Sequence, residues 1–521
     1  MSEEAREVMS EREKLPIVYV RGYAGDTAGI NKAVEDPFYG FNEGSTHVRV
    51  ESDDKPGFYQ FESPLLRLHL DEGYKILVEG GQEAYLEAHK DIAPDSIWVE
   101  RFYDPSASTW GNGPEEFRIE HAAEHLLGFI EKIKDRTHAP RVHLVAHSMG
   151  GLVCRCLLQK ILPDRNLIPA DYVDKLFTYG TPHGGIAFDV GFGLVEKLRD
   201  ATGVNGADIF GPRRMYQYLT PQADADPDGP SAGWDARAIP DHDGALRPEK
   251  VFCLVGTDPT DYDVAHGLSS AAVGVRSDGL VQIENAYVPG AHTSYVHRSH
   301  SGAYGLVNSE EGYQNLRRFL FGDHRVDAAL LGHRLPERDG VTWQAEVRLS
   351  VRGLPVVMHE RLASHWCPIQ LSDGRADGTR DDADDTRADA DGAVPLTTVF
   401  LHSDLALPAT SQTMRYALHL RIVSLREEHG FLSFGDHLEQ TADFDDILVV
   451  DIGSGPAGPE ISASWNSLIP GAIAEFTPIG TRLRDEDSGD GVWSTTVALP
   501  GTAAPILGSE AAVRLTATSW D

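Results

Sequence analysis

The chain has 521 residues, and because a single hydrophobic core stops growing near about 250–300 residues, we expect it to divide into two domains. Its 41% hydrophobic and 24% charged residues are typical of a globular protein and exclude a fibrous or wholly disordered chain. The 80 Asp and Glu residues against 46 Lys and Arg residues give a net charge of −34, which excludes nucleic acid and disfavours an anionic membrane as a partner.

The N-terminal segment, residues 1–14, alternates acidic and basic side chains, and we expect it to be flexible. It lacks the basic start and apolar run of a secretory signal. The sequence also contains no run of about 18 apolar residues, the length needed to span a membrane. The chain is therefore predicted to be cytoplasmic. Its four cysteines have no zinc-binding spacing and are expected to be free thiols; they are Cys154, Cys156, Cys253 and Cys367.

Residues 15–322 alternate short apolar runs with helical patterns, which predicts an α/β domain with a mostly parallel sheet. Nearly continuous apolar runs, typical of strands buried on both faces, occur at 16–20, 97–103, 141–145, 175–179, 251–255 and 293–296. Apolar residues at helical spacing predict helices at 115–134 and 309–321. We expect Asn308, together with Glu311, to cap the second helix and Gly322 to end it.

Two long insertions interrupt this alternation, at about residues 26–72 and 186–247, and insertions of this length in enzymes are often caps or lids. The first contains a turn followed by a predicted short hairpin. The second begins with a stretch in which Phe188 and Phe192 share one helical face, so both are candidates for contacting an apolar substrate. An ordinary helix packed on the core fits the same pattern.

After a predicted linker at 323–339, apolar and polar residues alternate strictly over 341–351 and 414–422. This pattern predicts an all-β domain, a sandwich, over residues 340–521. Further strands are predicted at 447–452, 492–499 and 512–519. Residues 373–391 contain eight Asp and three Arg in low-complexity sequence, and we expect a disordered loop. This loop lacks the spaced ligands and distal Glu of a calcium site, so no metal is expected there.

The strand predicted at 141–145 runs into Ala146-His147-Ser148-Met149-Gly150 and then directly into a helix. In this context the pattern G/A-x-S-x-G is a nucleophile elbow, in which the serine occupies a strained turn at the end of the strand. The residues two before and two after the serine must then be small, as Ala146 and Gly150 are. Ser148 is therefore the predicted nucleophile. The Met149 amide, at the N-terminus of the helix, is expected to be one donor of an oxyanion hole.

With these motifs the chain resembles bacterial lipases and esterases of the α/β-hydrolase superfamily over residues 15–322. AHSMGG matches the form with Ala in place of the first Gly, as in small secreted Bacillus lipases, and PIVYVRGYAGD and LFTYGTPHGG match two further family segments. The resemblance implies an α/β-hydrolase fold and makes the amide of Tyr23 the second oxyanion donor. Arg21 stands where the family usually has His. His183, in the TPHGG segment, is expected to be structural rather than the catalytic base.

A serine nucleophile needs a histidine base and an acid that orients the histidine, in the chain order Ser, acid, His for this fold. Seven candidates follow residue 255, namely Asp258, Asp261, Asp263, Asp278, His292, His297 and His300. The resemblance assigns the acid to Asp278, in a D-G-x-V segment, and the base to His300, between the last strand and the last helix of the domain. Asp258 and His297 remain the alternatives.

Ser148, Asp278 and His300 would together hydrolyse carboxylic esters through an acyl-enzyme, without a cofactor or metal ion. The resemblance implies a lipase or esterase acting on a small-molecule or lipid ester, with His147 as a further candidate for contacting the substrate. The same triad suits phospholipids, thioesters, polyesters and amides, and a retired hydrolase fold used for binding is a second alternative. The β domain could position substrate, cover the pocket or mediate formation of a homo-oligomer.

Overall fold

The computed structural model describes residues 14–22, 45–50, 56–61, 63–77, 81–100, 118–186, 209–240, 244–260, 274–302, 305–336, 338, 340–372, 392–407, 413–426, 442–455, 458–471, 477–487 and 491–520. For residues 45–50, 56–61, 426, 454, 455 and 458 it describes the backbone alone. By its internal contacts the chain divides into two units, the first containing residues 1–292 and 298–313 and the second containing residues 293–297 and 314–521.

The strands up to residue 296 belong mainly to one parallel sheet. In chain order they are β1 (Ile17–Val20), β2 (Ser45–Val50), β3 (Pro56–Phe61), β4 (Lys75–Ile76), β5 (Ser96–Glu100), β6 (Val142–His147), β7 (Val173–Tyr179), β8 (Val251–Gly256) and β9 (His292–Val296). The seven-stranded sheet has the order β4-β5-β1-β6-β7-β8-β9, and the neighbouring pairs from β4 to β8 are parallel. An α/β architecture is therefore present.

The predicted strands are confirmed, with ends that shift by one or two residues inside the described ranges. Every residue of β1, β5, β7 and β8 is buried, as expected for central strands of a parallel sheet with both faces covered. Residues 101–103 of one predicted strand lie outside the described ranges. The short strand β4 was not predicted, because two residues are too few to show a periodic pattern.

The helices that accompany this sheet are α1 (Pro64–Glu72), α2 (Gln82–Ala88), α3 (Ile119–Thr137), α4 (Met149–Cys156), α5 (Pro212–Leu219) and α6 (Glu310–Phe321). Helix α3 buries Leu126, Phe129, Ile130 and Ile133, which confirms the predicted apolar stripe. Helix α4 continues through a π-helical turn at Leu157–Ile161 into a last turn at Leu162–Asp164. No helix in the described part of the chain is long and apolar enough to cross a membrane.

The ends of α6 correct one expectation and confirm another. The cap is Ser309 rather than Asn308, because the Ser309 hydroxyl accepts a hydrogen bond from the amide of Gly312 at 3.0 Å. Glu311 does not complete a capping box, since its carboxylate binds the guanidinium of Arg298. Gly322 ends the helix as predicted, and its amide donates to the Arg318 carbonyl at 2.8 Å.

Both insertions contain regular structure in their described parts. In the first, β2 and β3 pair antiparallel, which confirms the predicted hairpin, and α1 follows them. In the second, α5 lies near the middle. The helical face that includes Phe188 and Phe192 lies outside the described residues. A lid role for either insertion therefore stays a prediction.

The second unit contains antiparallel sheets. Its strands after residue 321 are β10 (His324–Leu331), β11 (Val341–Val351), β12 (Val357–Arg361), β13 (Ile369–Leu371), β14 (Val394–Leu401), β15 (Thr413–Arg426), β16 (Phe444–Gly455), β17 (Gly458–Trp465), β18 (Val492–Ala498) and β19 (Ala512–Ser519), with the short helix α7 (Ala504–Leu507). One sheet has the order β14-β10-β19-β18, and the other has the order β12-β11-β15-β16-β17, with β13 also paired to β11.

Alternating side chains form the core of this unit. Strand β15 buries every second residue in the predicted set, Met414, Tyr416, Leu418, Leu420 and Ile422. Strand β11 departs from strict alternation, because Gln344 and Glu346 are buried as well; Glu346 accepts from Arg421 at 2.6 Å. The indole of Trp465 in β17 donates to the carbonyl of Ala498 in β18 at 2.9 Å, a bond between the two sheets that is consistent with a sandwich.

The segment 323–339, predicted to be a linker, contains strand β10. This strand pairs antiparallel with β14 on one side and β19 on the other, and it buries Val326, Ala328 and Leu330. Alanine has a low strand propensity, so two alanines within eight residues weakened the sequence signal. The acidic segment 373–391 lies outside the described ranges.

All four cysteines are free and buried, as predicted. Cys154 and Cys156 lie on α4, Cys253 lies on β8, and Cys367 lies between β12 and β13. Burial raises the pKa of each thiol above its usual value. The thiols are therefore protonated at neutral pH, which makes them poor nucleophiles and poor metal ligands.

Candidate active site

Ser148 lies at the turn between β6 and α4. Its backbone angles, φ 53° and ψ −128°, are sparsely populated for a residue with a side chain and cost about 1–3 kcal/mol. Hydrogen bonds hold the turn: the Ser148 amide donates to the Tyr179 carbonyl at 2.9 Å, while the Ser148 carbonyl accepts from the Gly151 amide at 3.0 Å and from the Thr181 hydroxyl at 2.9 Å. These hydrogen bonds stabilise Ser148 in the positive-φ conformation that is typical of a nucleophile elbow.

Small residues surround this turn because backbone approaches it closely. A Cβ on Gly150 would lie 2.3 Å from the carbonyl oxygen of Val20, and a Cβ on Gly22 would lie 2.8 Å from the Cβ of Ser148. Ala146 is fully buried. The requirement for a small residue at 150, inferred from the motif, therefore has a visible cause in the approach of the end of β1.

We expect Gly150→Ala to destabilise the protein, because the added methyl group would collide with main-chain atoms that cannot rotate away. Overpacking of this kind costs about 1–3 kcal/mol. Gly128 in α3 is the matched control, since a Cβ there meets nothing within 4 Å and Gly to Ala in a helix gains about 0.5–1 kcal/mol. Urea unfolding midpoints should fall for Gly150→Ala and rise for Gly128→Ala. An unchanged midpoint for Gly150→Ala would contradict the described close approach.

The structure brings Ser148, His300 and Asp278 together. The Nε2 atom of His300 lies 2.9 Å from the Ser148 Oγ, and its Nδ1 atom lies 2.8 Å from the Asp278 Oδ2. The side chains of His300 and Asp278 are only 3% and 1% exposed. One imidazole therefore links a hydroxyl to a carboxylate inside the protein, as a general base requires.

Main-chain amides fix the Asp278 carboxylate. Its Oδ1 accepts from the amides of Leu280 at 3.1 Å and Val281 at 2.8 Å, which directs Oδ2 toward His300. The amide of His300 also donates to the Asp278 carbonyl at 2.9 Å. Asp278 and His300 are thus joined through both their side chains and their main chains.

Gly180, at the end of β7, is a residue that sequence reasoning missed. Its φ is 51°, and a Cβ there would lie 2.9 Å from the Asp278 Oδ2 and 3.1 Å from the His300 Nδ1. Any side chain at 180 would therefore crowd the hydrogen bond between Asp278 and His300. The available signal was a glycine directly after a buried strand, just before the TPHGG segment.

His147 lies beside His300. Its Nε2 atom is 2.9 Å from the carbonyl oxygen of His300, and the two ring centroids are 4.9 Å apart. Burial and the neighbouring His300 lower the pKa of His147 to about 3, so the ring is neutral at neutral pH. Its described polar contact is with protein main chain, whereas the sequence suggested a contact with substrate.

The alternative acid and base lie elsewhere. The Oδ1 of Asp258 accepts from the amide and the hydroxyl of Thr260, at 2.9 and 2.6 Å. The His297 ring stacks on the His365 ring with centroids 3.8 Å apart, and both belong to the second unit. Neither alternative is among the described hydrogen-bond partners of Ser148. Asp261 and Asp263 lie outside the described residues.

His183 has the surroundings of a structural residue. It is fully buried, and its Nε2 lies 3.2 Å from the Thr178 hydroxyl. Its carbonyl accepts from the guanidinium of Arg155 at 3.1 Å, and the same guanidinium donates to the Ala238 carbonyl at 2.9 Å. Arg155 is 1% exposed and was also missed from sequence, although a single arginine in the apolar helix GLVCRCLL was a signal. It ties the helix behind Ser148 to two later segments.

Of the remaining predicted site residues, the structure describes Met149. Met149 is the buried first residue of α4, where amides have no partner within the helix. Tyr23, Phe188 and Phe192 lie outside the described residues. Across the ranges that are described, no group of three or more His, Cys, Asp or Glu side chains is arranged to hold a metal ion.

The chain was compared with protein families, curated proteins and solved structures. No protein-family model matches the chain, and no curated protein matches it. The lin2722 gene product of Listeria innocua shares 14% identity with a TM-score of 0.25, over 59% of this chain and 94% of that one. A protein proposed to be a cell surface hydrolase, from Lactobacillus plantarum WCFS1, shares 11% identity with a TM-score of 0.23, over 59% of this chain and 90% of that one. With TM-scores this low, neither similarity assigns a function to this chain.

Proposed function

We propose that this protein is a serine carboxylic-ester hydrolase, a lipase or esterase, that works through Ser148, His300 and Asp278. The observation that carries the proposal is the position of His300, whose ring nitrogens lie 2.9 Å from the Ser148 Oγ and 2.8 Å from the Asp278 Oδ2. The positive φ of Ser148 supports it, because strained backbone clusters at functional sites.

In the first half-reaction, the Ser148 Oγ attacks the ester carbonyl carbon while its proton moves to the Nε2 of His300. The π electrons of the carbonyl move to its oxygen, which gives a tetrahedral oxyanion. The Asp278 carboxylate accepts a hydrogen bond from the Nδ1–H group of His300 and stabilises the imidazolium. When the intermediate collapses, the bond to the alcohol oxygen breaks, the Nε2 proton passes to that oxygen, and an acyl-serine remains.

The second half-reaction repeats these steps with water. His300 takes a proton from a water molecule, whose oxygen attacks the acyl carbon. The new intermediate collapses by breaking the bond to the Ser148 Oγ, which recovers its proton from His300. The carboxylic acid leaves, and the enzyme returns to its starting state.

The oxyanion needs donors that are already oriented. Helix α4 starts directly after Ser148, so its first amide, that of Met149, and its positive dipole end lie beside the reacting centre. The amide of Tyr23 is the proposed second donor, by resemblance to bacterial lipases. The described end of the same segment, Gly22, packs against Ser148.

The charge of the chain bears on the substrate. A net charge of −34 hinders adsorption to anionic lipid surfaces, so we propose neutral esters as the substrates. A series of p-nitrophenyl esters of increasing acyl length, assayed beside an anionic phospholipid and a thioester, would test this choice. A true lipase should gain activity when the ester forms an emulsion.

A fluorophosphonate probe tests the proposed nucleophile directly. The probe should label the folded protein once per chain, and peptide mass mapping should place the label on Ser148, because His300 activates that hydroxyl. Heat-unfolded protein is the control and should not react. Absence of labelling in the folded protein would favour a retired hydrolase fold that serves in binding.

A further inference from the structure

His147 and Asp278 both contact the main chain of His300. The His300 amide donates to the Asp278 carbonyl at 2.9 Å, and the His300 carbonyl oxygen lies 2.9 Å from the His147 Nε2. A carbonyl oxygen only accepts, so the His147 Nε2 must carry the proton. The base is therefore held at its amide by the acid and at its carbonyl by the residue that precedes the nucleophile.

The opposite edge of the His147 ring lies against a third segment. A Cβ on Gly22 would be 3.0 Å from the His147 Nδ1 and 2.8 Å from the Ser148 Cβ. The ring thus fills the space between the His300 loop and the segment that precedes Tyr23. The ring therefore lies beside the main chain of His300 and beside Gly22, which precedes the proposed oxyanion donor Tyr23.

We infer that His147 is a positioning residue, which holds the backbone of His300 so that its Nε2 stays in line with the Ser148 Oγ. The inference rests on the proposed function. The low pKa of His147 supports it, because a ring that stays neutral adds no positive charge that would repel the imidazolium formed on His300. A role in binding substrate would instead require contacts with the ester itself.

Three substitutions test the inference in the full chain. His147→Phe keeps the ring but removes the N–H donor, and we expect kcat on a p-nitrophenyl ester to fall about 10- to 100-fold, the scale of loss for a misplaced catalytic group, with KM unchanged. His147→Gln restores an N–H donor and should recover most of kcat. His143→Phe is the matched control, because His143 lies buried on the same face of β6 at the opposite end of the strand, and it should keep the wild-type kcat.

Fluorophosphonate titration of active sites and melting temperatures should accompany each assay, so that kcat refers to folded enzyme. A rise in KM at unchanged kcat would show that His147 contacts substrate and would overturn the inference. Equal losses in His147→Phe and His147→Gln would assign the effect to packing and would also overturn it. An inactive, unlabelled wild-type protein would instead remove the proposed function, a result distinguishable from either.

Discussion

Ser148→Ala should lower kcat for ester hydrolysis by about 10⁶-fold, the loss that follows removal of the nucleophile from a serine hydrolase triad. The reason is that no covalent acyl-enzyme can form without the Oγ atom. The described hydrogen bond of that atom is with the His300 Nε2, so the fold should persist. Burst kinetics with p-nitrophenyl esters and a melting curve would measure the two effects separately.

Ser96→Ala is the control for this variant. Ser96 is also buried. It is the first residue of β5, whereas Ser148 follows the last residue of β6, so the two serines lie at opposite ends of strands in the parallel sheet. The Ser96 hydroxyl accepts from the Trp98 indole at 2.9 Å, so its loss should affect stability and leave kcat nearly unchanged. Substantial turnover by purified Ser148→Ala would refute the assignment of the nucleophile.

Asp278→Asn should lower kcat by about 10⁴-fold, as loss of the orienting carboxylate does in other triads. The Oδ1 of Asp278 accepts from the amides of Leu280 and Val281, so the amide oxygen of an asparagine must take that position. Its NH2 group then faces the His300 Nδ1, which can only accept. The Nε2 consequently carries the ring proton and cannot take one from Ser148.

Asp258→Asn provides the comparison, because Asp258 was the alternative acid. Its described side-chain partners are the amide and hydroxyl of Thr260, and the variant should keep most of its activity. The ratio of the two kcat values, measured on the same ester, checks the assignment. A large loss of kcat in Asp258→Asn with a small loss of kcat in Asp278→Asn would assign the role of the acid to Asp258 instead of Asp278.

The regular elements that could be predicted are those with strong local signals. Strand β7 is buried throughout and appeared as an apolar run, while β15 showed strict alternation over the residues that it buries. Strand β10 was assigned to a linker, because its alanines are weak strand formers and its stability comes from β14 and β19, which lie far away in the chain. The cap of α6 was misplaced by one residue because Asn308 and Ser309 are both good caps, and only the Ser309–Gly312 bond separates them.

The candidate site likewise contains residues that a local sequence signal predicts and residues that no local signal predicts. Sequence by itself determined Ser148 as the candidate nucleophile and the small residues Ala146 and Gly150, because the strand–turn–helix motif is local in the chain. The atoms that a Cβ on Gly150 would meet belong to Val20 and Arg21, and only the tertiary structure brings them there. Four aspartates and three histidines were otherwise hard to separate by residue type and chain order.

Tertiary structure decided which of them meet. His300 reaches Ser148 across 152 residues of sequence and Asp278 across 22. Composition and periodicity carry no information over such separations, so the choice made from sequence depended on the resemblance. Gly180 and His147 show the same limit, since their roles depend on atoms from strands and loops that become neighbours only when the sheet forms. Parallel strands end at one edge of the sheet, and that edge is where the loops carrying these residues converge.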